Sequence, residues 1–153
     1  MIELKNIEKS FGGNKILKGI STIFETGKTN LIIGQSGSGK TVLLKSLLGI
    51  HTPESGQICF DGRVYSELDK NEKRDLRTEI GMVFQGSALF DSMTVAENVG
   101  FPLRMFTNDN NAKIKERVDF VLERVALIDA HTKLPSQISK KKKKRVAIAR
   151  AIV

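Results

Sequence analysis

Short apolar runs separated by glycine-rich turns dominate the first part of the chain and predict strands. Residues 2–8 and 16–24 are rich in isoleucine and leucine, and the turn-forming residues 12–14 (GGN) lie between them. This arrangement is typical of a strand, a turn and a second strand. Residues 29–33 (TNLII) form a brief apolar run directly before a group of glycines, which predicts a buried strand.

The composition then changes to that of a helix. Residues 40–50 (KTVLLKSLLGI) are rich in helix-forming residues, and Gly49 near their end is a candidate stop signal. A turn-rich piece follows, and residues 57–61 (QICFD) predict a strand that ends in an Asp-Gly turn.

The later part of the chain favours helices. Residues 69–79 are polar and helix-prone, whereas 80–84 (IGMVF) predict one more strand. Beyond Gln85 the pattern is helical, and Thr94 with Glu97 three residues later predicts a capping box at a helix start. We therefore place a subdomain boundary near Gln85.

The clearest helix predicted by the pattern covers residues 111–129. Its apolar residues recur at helical spacing and predict one buried stripe, formed by Ile114, Val118, Val121, Val125 and Ile128. Lys115 and Asp119 are spaced to form an ion pair on its polar side. The stripe is expected to pack on the core of its own subdomain.

Composition bounds the class of protein. The chain has 153 residues, 40% of them apolar and 27% charged, which suits one soluble globular domain. Five of its net +8 charges come from the run Lys140–Lys144, so no nucleic-acid partner is expected. A single cysteine, the absence of a signal sequence and the absence of a membrane-length apolar run predict a cytoplasmic protein.

Residues 34–41 (GQSGSGKT) match the phosphate-loop pattern G-x-x-x-x-G-K-[ST] between a predicted strand and a predicted helix. Glycines let backbone amides converge on an anion, and the following helix directs its positive end to the same place. Lys40 would contact the β- and γ-phosphates, and Thr41 would offer its hydroxyl to Mg²⁺. The residues predicted to bind ATP are therefore Gly34, Gln35, Ser36, Gly37, Ser38, Gly39, Lys40 and Thr41.

With that loop in place, the whole chain resembles the nucleotide-binding subunit of ATP-binding cassette (ABC) transporters. The resemblance implies an α/β fold with a P-loop NTPase core, an N-terminal antiparallel β part and a helical subdomain, incomplete at the C-terminus. Its three parts would be 1–85, 86–138 and 139–153. It also implies that Phe11 stacks on adenine and that Gln85, in MVFQ, is the Q-loop residue that joins Thr41 at Mg²⁺.

Residues 87–104 (SALFDSMTVAENVGFPLR) resemble the same region of the Mla-type phospholipid transporters. The resemblance implies a lipid or a related hydrophobic substrate, permease subunits as partners and a peripheral location on the cytoplasmic face of the inner membrane. The apolar residues expected to form the groove for the permease are Phe90, Met93, Val95, Val99 and Phe101, although each of them could instead build the helical subdomain.

The family's signature Leu-Ser-Gly-Gly aligns with Ile138, Ser139, Lys140 and Lys141. The resemblance implies that Ser139 and the two following residues contact the nucleotide held by a second subunit of a homodimer. Lysines replace both glycines, and their side chains are expected to crowd a position where backbone must approach phosphate closely.

The family's Walker B carboxylates would follow residues 145–153 in sequence. We therefore interpret the chain as a fragment or an altered reading of a longer protein, with exposed apolar surface where a central strand belongs. Three hypotheses follow: an ABC-type ATPase, a nucleotide-binding module that does not hydrolyse ATP, and a polybasic element that attracts anionic lipid or nucleic acid.

Overall fold

The computed structural model describes residues 1–153, which form two compact units, Met1–Arg77 and Thr78–Val153. The first unit contains an antiparallel sheet and two helices, and the second contains three further helices. This division precedes the boundary that the sequence suggests near Gln85. The three parts inferred from the resemblance stay a prediction.

The sheet of the first unit has the strand order β2-β1-β3-β4, and every neighbouring pair is antiparallel. Its members are β1 (Ile2–Phe11), β2 (Asn14–Phe24), β3 (Ser55–Phe60) and β4 (Arg63–Val64). The predicted strand–turn–strand and the predicted strand around 57–61 are therefore confirmed. Because β1 and β2 are joined by a tight turn, the end of β1 at Phe11 faces the start of β2 at Asn14.

The first unit buries residues of β1, β2 and β3 together with parts of the helices α1 (Lys40–Leu47) and α2 (Lys70–Thr78). Helix α1 confirms the helix predicted from residue 40 onward. Burial of apolar side chains is the main favourable contribution to folding of such a unit. The buried apolar residues are Leu4, Ile7, Leu17, Leu43, Leu47, Ile58, Cys59, Phe60 and Leu76.

Two predicted strands are wrong. Residues 29–33 and 80–84 lack regular secondary structure. The side chains of Leu31 and Ile33 are 81% and 80% exposed, so the first of these runs is not buried either. A strand exists only when neighbouring backbone pairs with it, and the sheet of this structure includes neither run. Both runs are apolar, but no neighbouring strand forms backbone hydrogen bonds with either of them.

The second unit packs α3 (Val95–Phe106), α4 (Asn111–Arg124) and α5 (Lys140–Ile152) around one apolar core, with 3₁₀ turns at Ile128–Ala130 and Pro135–Gln137. Its buried members are Val95, Val99, Ile114, Val118, Val121, Leu122, Leu127, Ala130, Ile138, Val146 and Ala149. None of the helices in the structure has the length and apolar composition needed to cross a lipid bilayer.

Helix α3 begins at the predicted capping box. The hydroxyl oxygen of Thr94 accepts a hydrogen bond from the Glu97 amide at 3.2 Å, and the Glu97 carboxylate accepts one from the Thr94 amide at 2.7 Å. Two amides that a helix start leaves unpaired are thereby satisfied. The sequence thus predicted the start of this helix correctly.

Helix α4 confirms the first part of the predicted stripe but ends earlier than predicted. Ile114, Val118 and Val121 are buried, and Lys115 pairs with Asp119 at 2.7 Å as expected. The helix ends at Arg124 because Ala126 adopts a left-handed conformation, with φ of 54°. Ile128 lies beyond this end and is 62% exposed, so its assignment to the stripe is wrong.

Candidate nucleotide-binding site

The phosphate loop enters α1 through Gly39, which is the N-cap of the helix and has a φ of 93°. A residue with a Cβ atom is strained in this left-handed conformation, whereas glycine adopts it freely. A Cβ atom at Gly39 would also lie 3.0 Å from Cγ2 of Ile16 on β2. Both the backbone angle and the close approach of the hairpin therefore require glycine at this position.

The N-terminus of α1 has no side-chain cap. No side chain accepts a hydrogen bond from the first amides of the helix, and no acidic residue lies in its first turn. Inside the loop, the Ser38 amide donates to the Gln35 carbonyl at 3.2 Å and closes a tight turn. Uncapped amides at a helix start carry partial positive charge, which suits a phosphate group.

The ammonium group of Lys40 folds back over the loop. Its Nζ atom donates to the carbonyl oxygens of Gly34 and Gln35, each at 2.7 Å. These bonds keep a full positive charge beside the backbone amides of the loop. A cation and a row of amides therefore act on the same small volume, which is the donor set that a polyphosphate needs.

The loop lines one open pocket of about 440 Å³ together with Phe11. The Phe11 ring is 44% exposed and makes an edge contact with His51, with ring centroids 5.2 Å apart. The structure thus places Phe11 and the phosphate loop, which the sequence predicts separately, in the same pocket. The pocket is lined by Phe11, Ile16, Ser36, Gly37, Ser38, Gly39, Lys40, Thr41 and Val42.

Few protein oxygens are available for a metal ion. No group of three or more His, Cys, Asp or Glu side chains comes together anywhere in the structure. Thr41 lines the pocket, whereas Gln85 is an exposed residue of the second unit. Mg²⁺ commonly takes only one or two protein ligands beside phosphate oxygens and water, so the Thr41 hydroxyl in the pocket is compatible with a magnesium–nucleotide complex.

The five lysines form the beginning of α5, and Ser139 is its N-cap. The Ser139 hydroxyl accepts a hydrogen bond from the Lys142 amide at 3.3 Å. Lys140 and Lys141 are exposed in the first turn, where positive side chains oppose the helix dipole by ~0.3–1 kcal/mol each. Lys142 contacts Asp129 at 2.7 Å and, by this hydrogen bond, lowers the pKa of that carboxyl group.

The residues predicted to form a groove for a partner divide into two groups. Val95 and Val99 are fully buried in the core of the second unit, so their assignment to a groove is wrong. Phe90 is 41% exposed and packs on Phe101, with ring centroids 4.7 Å apart. Met105 and Phe106, which the sequence argument missed, are also exposed on α3.

Asn98 is the residue that sequence reasoning overlooked. Its side chain is fully buried, accepts a hydrogen bond from the Phe90 amide at 2.8 Å and donates to the carbonyls of Phe90, Met93 and Thr94 at 3.0 Å. Asparagine is disfavoured inside helices, and its place between the core positions Val95 and Val99 was the available signal. It shapes the loop that presents Phe90.

Replacing Asn98 by alanine should lower the free energy of unfolding by about 2 kcal/mol, because several buried backbone groups lose their partner. Urea-induced unfolding followed by circular dichroism measures this change. The matched control is Asn110→Ala, since Asn110 is an exposed helix cap that accepts one bond from the Lys113 amide at 2.9 Å. A smaller loss of about 1 kcal/mol is expected there. Equal losses in both variants would contradict the role of Asn98.

A family profile described as "ABC transporter" matches residues 17–153 of the chain. Among curated proteins, the "Probable ribonucleotide transport ATP-binding protein mkl" of Mycobacterium leprae is 39% identical over 152 residues, which cover 99% of this chain and 44% of that protein. The "Methionine import ATP-binding protein MetN" of Clostridioides difficile is 38% identical, with 99% and 47% covered. The chain thus spans less than half the length of these relatives.

Solved structures agree with this family. A bacterial ABC transporter cassette determined as a dimer superimposes with a TM-score of 0.89 at 31% identity, covering 99% of this chain and 69% of the other. A dimeric post-hydrolysis state of an ATP-binding cassette, bound to ADP and Pi, gives a TM-score of 0.88 at 31% identity over the same shares. The fold inferred from the sequence, a P-loop cassette with an N-terminal antiparallel part and helices, is therefore confirmed.

Proposed function

The chain belongs to the ABC transporter family, and from this premise we propose that it binds ATP as the nucleotide-binding part of a membrane transporter. The observation that carries the proposal is the pocket in which Phe11 and the uncapped start of α1 lie together. An aromatic surface suits a nucleobase, and a cradle of amides with one cation suits a triphosphate. ATP binding and hydrolysis would drive movement of a substrate across the membrane.

The residues predicted to bind the nucleotide and Mg²⁺ have separate roles in this proposal. Phe11 stacks on adenine, and the amides of residues 34–41 wrap the phosphates. Lys40 exchanges its two carbonyl partners for the β- and γ-phosphates, while Thr41 and Gln85 supply oxygen atoms to Mg²⁺. Glycine at position 34 leaves room for the Ser38 side chain, because a Cβ there would lie 2.7 Å from the Ser38 hydroxyl oxygen.

The proposal is tested by calorimetric titration of the purified chain with ATP, with and without Mg²⁺. We expect saturable binding of one nucleotide per chain and tighter binding when Mg²⁺ is present. AMP, which lacks the β- and γ-phosphates, serves as the control ligand and should bind much more weakly. A folded chain that ignores ATP under both conditions would overturn the proposal.

The proposals for the permease contact and for the transported substrate rest on residues of the second unit. The exposed Phe90, which packs on the half-buried Phe101, supports docking of a permease helix by apolar contacts, with the chain lying on the cytoplasmic face of the inner membrane. The likeness of residues 87–104 to phospholipid transporters supports a lipid or a related hydrophobic substrate. Two similar proteins are named for ribonucleotide transport and methionine import, so transport assays with the permease should compare these solutes with phospholipid.

The altered signature supports a second candidate function. In the first proposal, Ser139, Lys140 and Lys141 contact the nucleotide of a second copy in a head-to-tail homodimer. The lysine side chains can attract phosphate, yet they occupy the place where backbone has to come close. A chain that binds ATP tightly and hydrolyses it very slowly would instead act by occupancy and contact with partners. Turnover measured beside affinity separates the two functions.

A further inference from the structure

The segment that contains Gln85 has no regular secondary structure, and the end of α5 contacts it at two places. The first contact is at Gly81, where a Cβ atom would lie 2.1 Å from the carbonyl oxygen of Ala151. Only glycine permits this approach of two backbones. The second contact lies on the other side of Gln85 and involves Arg150.

The second contact is a fork of two hydrogen bonds. The Arg150 guanidinium donates from Nη1 to the Ala88 carbonyl at 2.7 Å and from Nη2 to the Ser87 carbonyl at 2.9 Å. These groups are more than sixty residues apart in sequence. Two parallel donors from a planar group fix both the position and the orientation of consecutive carbonyls. Burial of the guanidinium lowers the pKa of Arg150, as expected for a charge held away from water.

The backbone at this contact is in an unfavourable conformation. Ser87 and Ala88 have φ values of 65° and 46°, and neither is glycine. Two consecutive left-handed residues with side chains persist only when surrounding contacts hold them in place. Within this turn the Ser87 amide donates to the Phe84 carbonyl at 3.0 Å. Arg150 supplies the side-chain contacts that stabilise the conformation.

We propose that Arg150 is a positioning residue that holds the Ser87–Ala88 turn and thereby sets the placement of Gln85. The same helix begins at Lys140, directly after its N-cap Ser139, so one rigid element of 13 residues joins the signature position to the Q-loop segment. A displacement of the first turn of α5 would move Arg150 with the helix and would thereby shift the turn beside Gln85. The functional part of the inference rests on the proposed function, whereas the structural part does not.

Hydrogen–deuterium exchange tests the structural part. In Arg150→Met the amide of Ser87 should exchange about tenfold faster, because the turn opens locally without the fork. The amide of Val118 in α4 should be unchanged. Arg150→Lys should give an intermediate effect, since an ammonium group cannot hold two carbonyls in one fixed plane. The matched control is Arg145→Met, which replaces a second arginine of α5 and should leave the exchange rate of the Ser87 amide unchanged.

Two outcomes would overturn the structural part. One is an unchanged Ser87 amide in both Arg150 variants. The other is a rise at Val118 as large as that at Ser87, because this would show general destabilisation of the unit. If Arg150→Met does not fold, the lysine variant alone decides, by the presence or absence of faster exchange at Ser87.

Titration with ATP tests the positioning of Gln85. Arg150→Met should reduce the gain in ATP affinity that Mg²⁺ provides, while affinity without Mg²⁺ stays that of the unaltered chain. Faster exchange at Ser87 combined with a full Mg²⁺ effect would overturn the link to Gln85. If the unaltered chain binds no ATP, the proposed function fails, and the exchange experiment still decides the role of Arg150.

Discussion

The affinity for ATP is expected to fall at least about a hundredfold when Lys40 is replaced by alanine, because one or more charge-assisted bonds to phosphate are lost. In the structure the Lys40 ammonium already lies over the loop, bound to the carbonyls of Gly34 and Gln35. It therefore needs only to exchange those partners for phosphate oxygens. Titration calorimetry with Mg²⁺ and ATP gives the two dissociation constants.

The control for this substitution comes from the same helix. Lys45→Ala removes an equal charge from the last turn of α1, four residues after the end of the loop at Thr41. Its ATP affinity should stay within about twofold of the unaltered chain, since Lys45 does not line the pocket and solvent and salt screen its charge. Affinity retained in Lys40→Ala, or lost equally in both variants, would contradict the role of Lys40. Circular dichroism confirms that both variants are folded.

Steady-state ATP hydrolysis is expected to rise about a hundredfold when Lys140 and Lys141 are both replaced by glycine, since a misplacement of ~1 Å costs ~10²-fold in rate. In the proposed homodimer, lysine side chains at the start of α5 would keep its first amides at a distance from the phosphate brought by the second subunit. The substitution also removes two charges that oppose the helix dipole. A coupled phosphate-release assay measures the rate.

The matched control is the pair Lys143→Gly and Lys144→Gly. It removes the same charge and introduces the same number of glycines, each costing ~1 kcal/mol inside a helix, but at positions beyond the signature. Little change in turnover is expected from it. An equal rise in both pairs would indicate that the total charge of the lysine run inhibits hydrolysis. No rise in either pair would contradict the proposal that crowding at 140 and 141 slows hydrolysis.

The polybasic hypothesis leads to a separate prediction about how binding depends on salt concentration. Binding that depends on the charge of residues 140–145 should weaken steeply as salt concentration rises. The structure shows one acidic partner for this run, Asp129 beside Lys142, and leaves Lys140 and Lys141 exposed. A solvated charge run accounts for this geometry without a further ligand, so nucleotide binding at the phosphate loop remains the better-supported function.

The sequence by itself determined those parts of the protein whose physics is local. The phosphate loop needs only glycines, a lysine and a hydroxyl at fixed spacing, and it is found next to Phe11 in one pocket. The capping box of α3 is set by Thr94 and Glu97, which are three residues apart. The first turns of α4 follow from an apolar spacing of three and four residues.

Only the tertiary structure decided the features that depend on distant neighbours. The apolar runs 29–33 and 80–84 do not form strands, because strands need backbone partners that a local pattern cannot supply. Val95 and Val99 lie in the core, since packing of α3 selects its buried face, whereas Phe90 lies in the loop before α3 and stays at the surface. The hydrogen bonds of Arg150 join groups 62 and 63 residues apart in sequence, a separation that no local sequence pattern encodes.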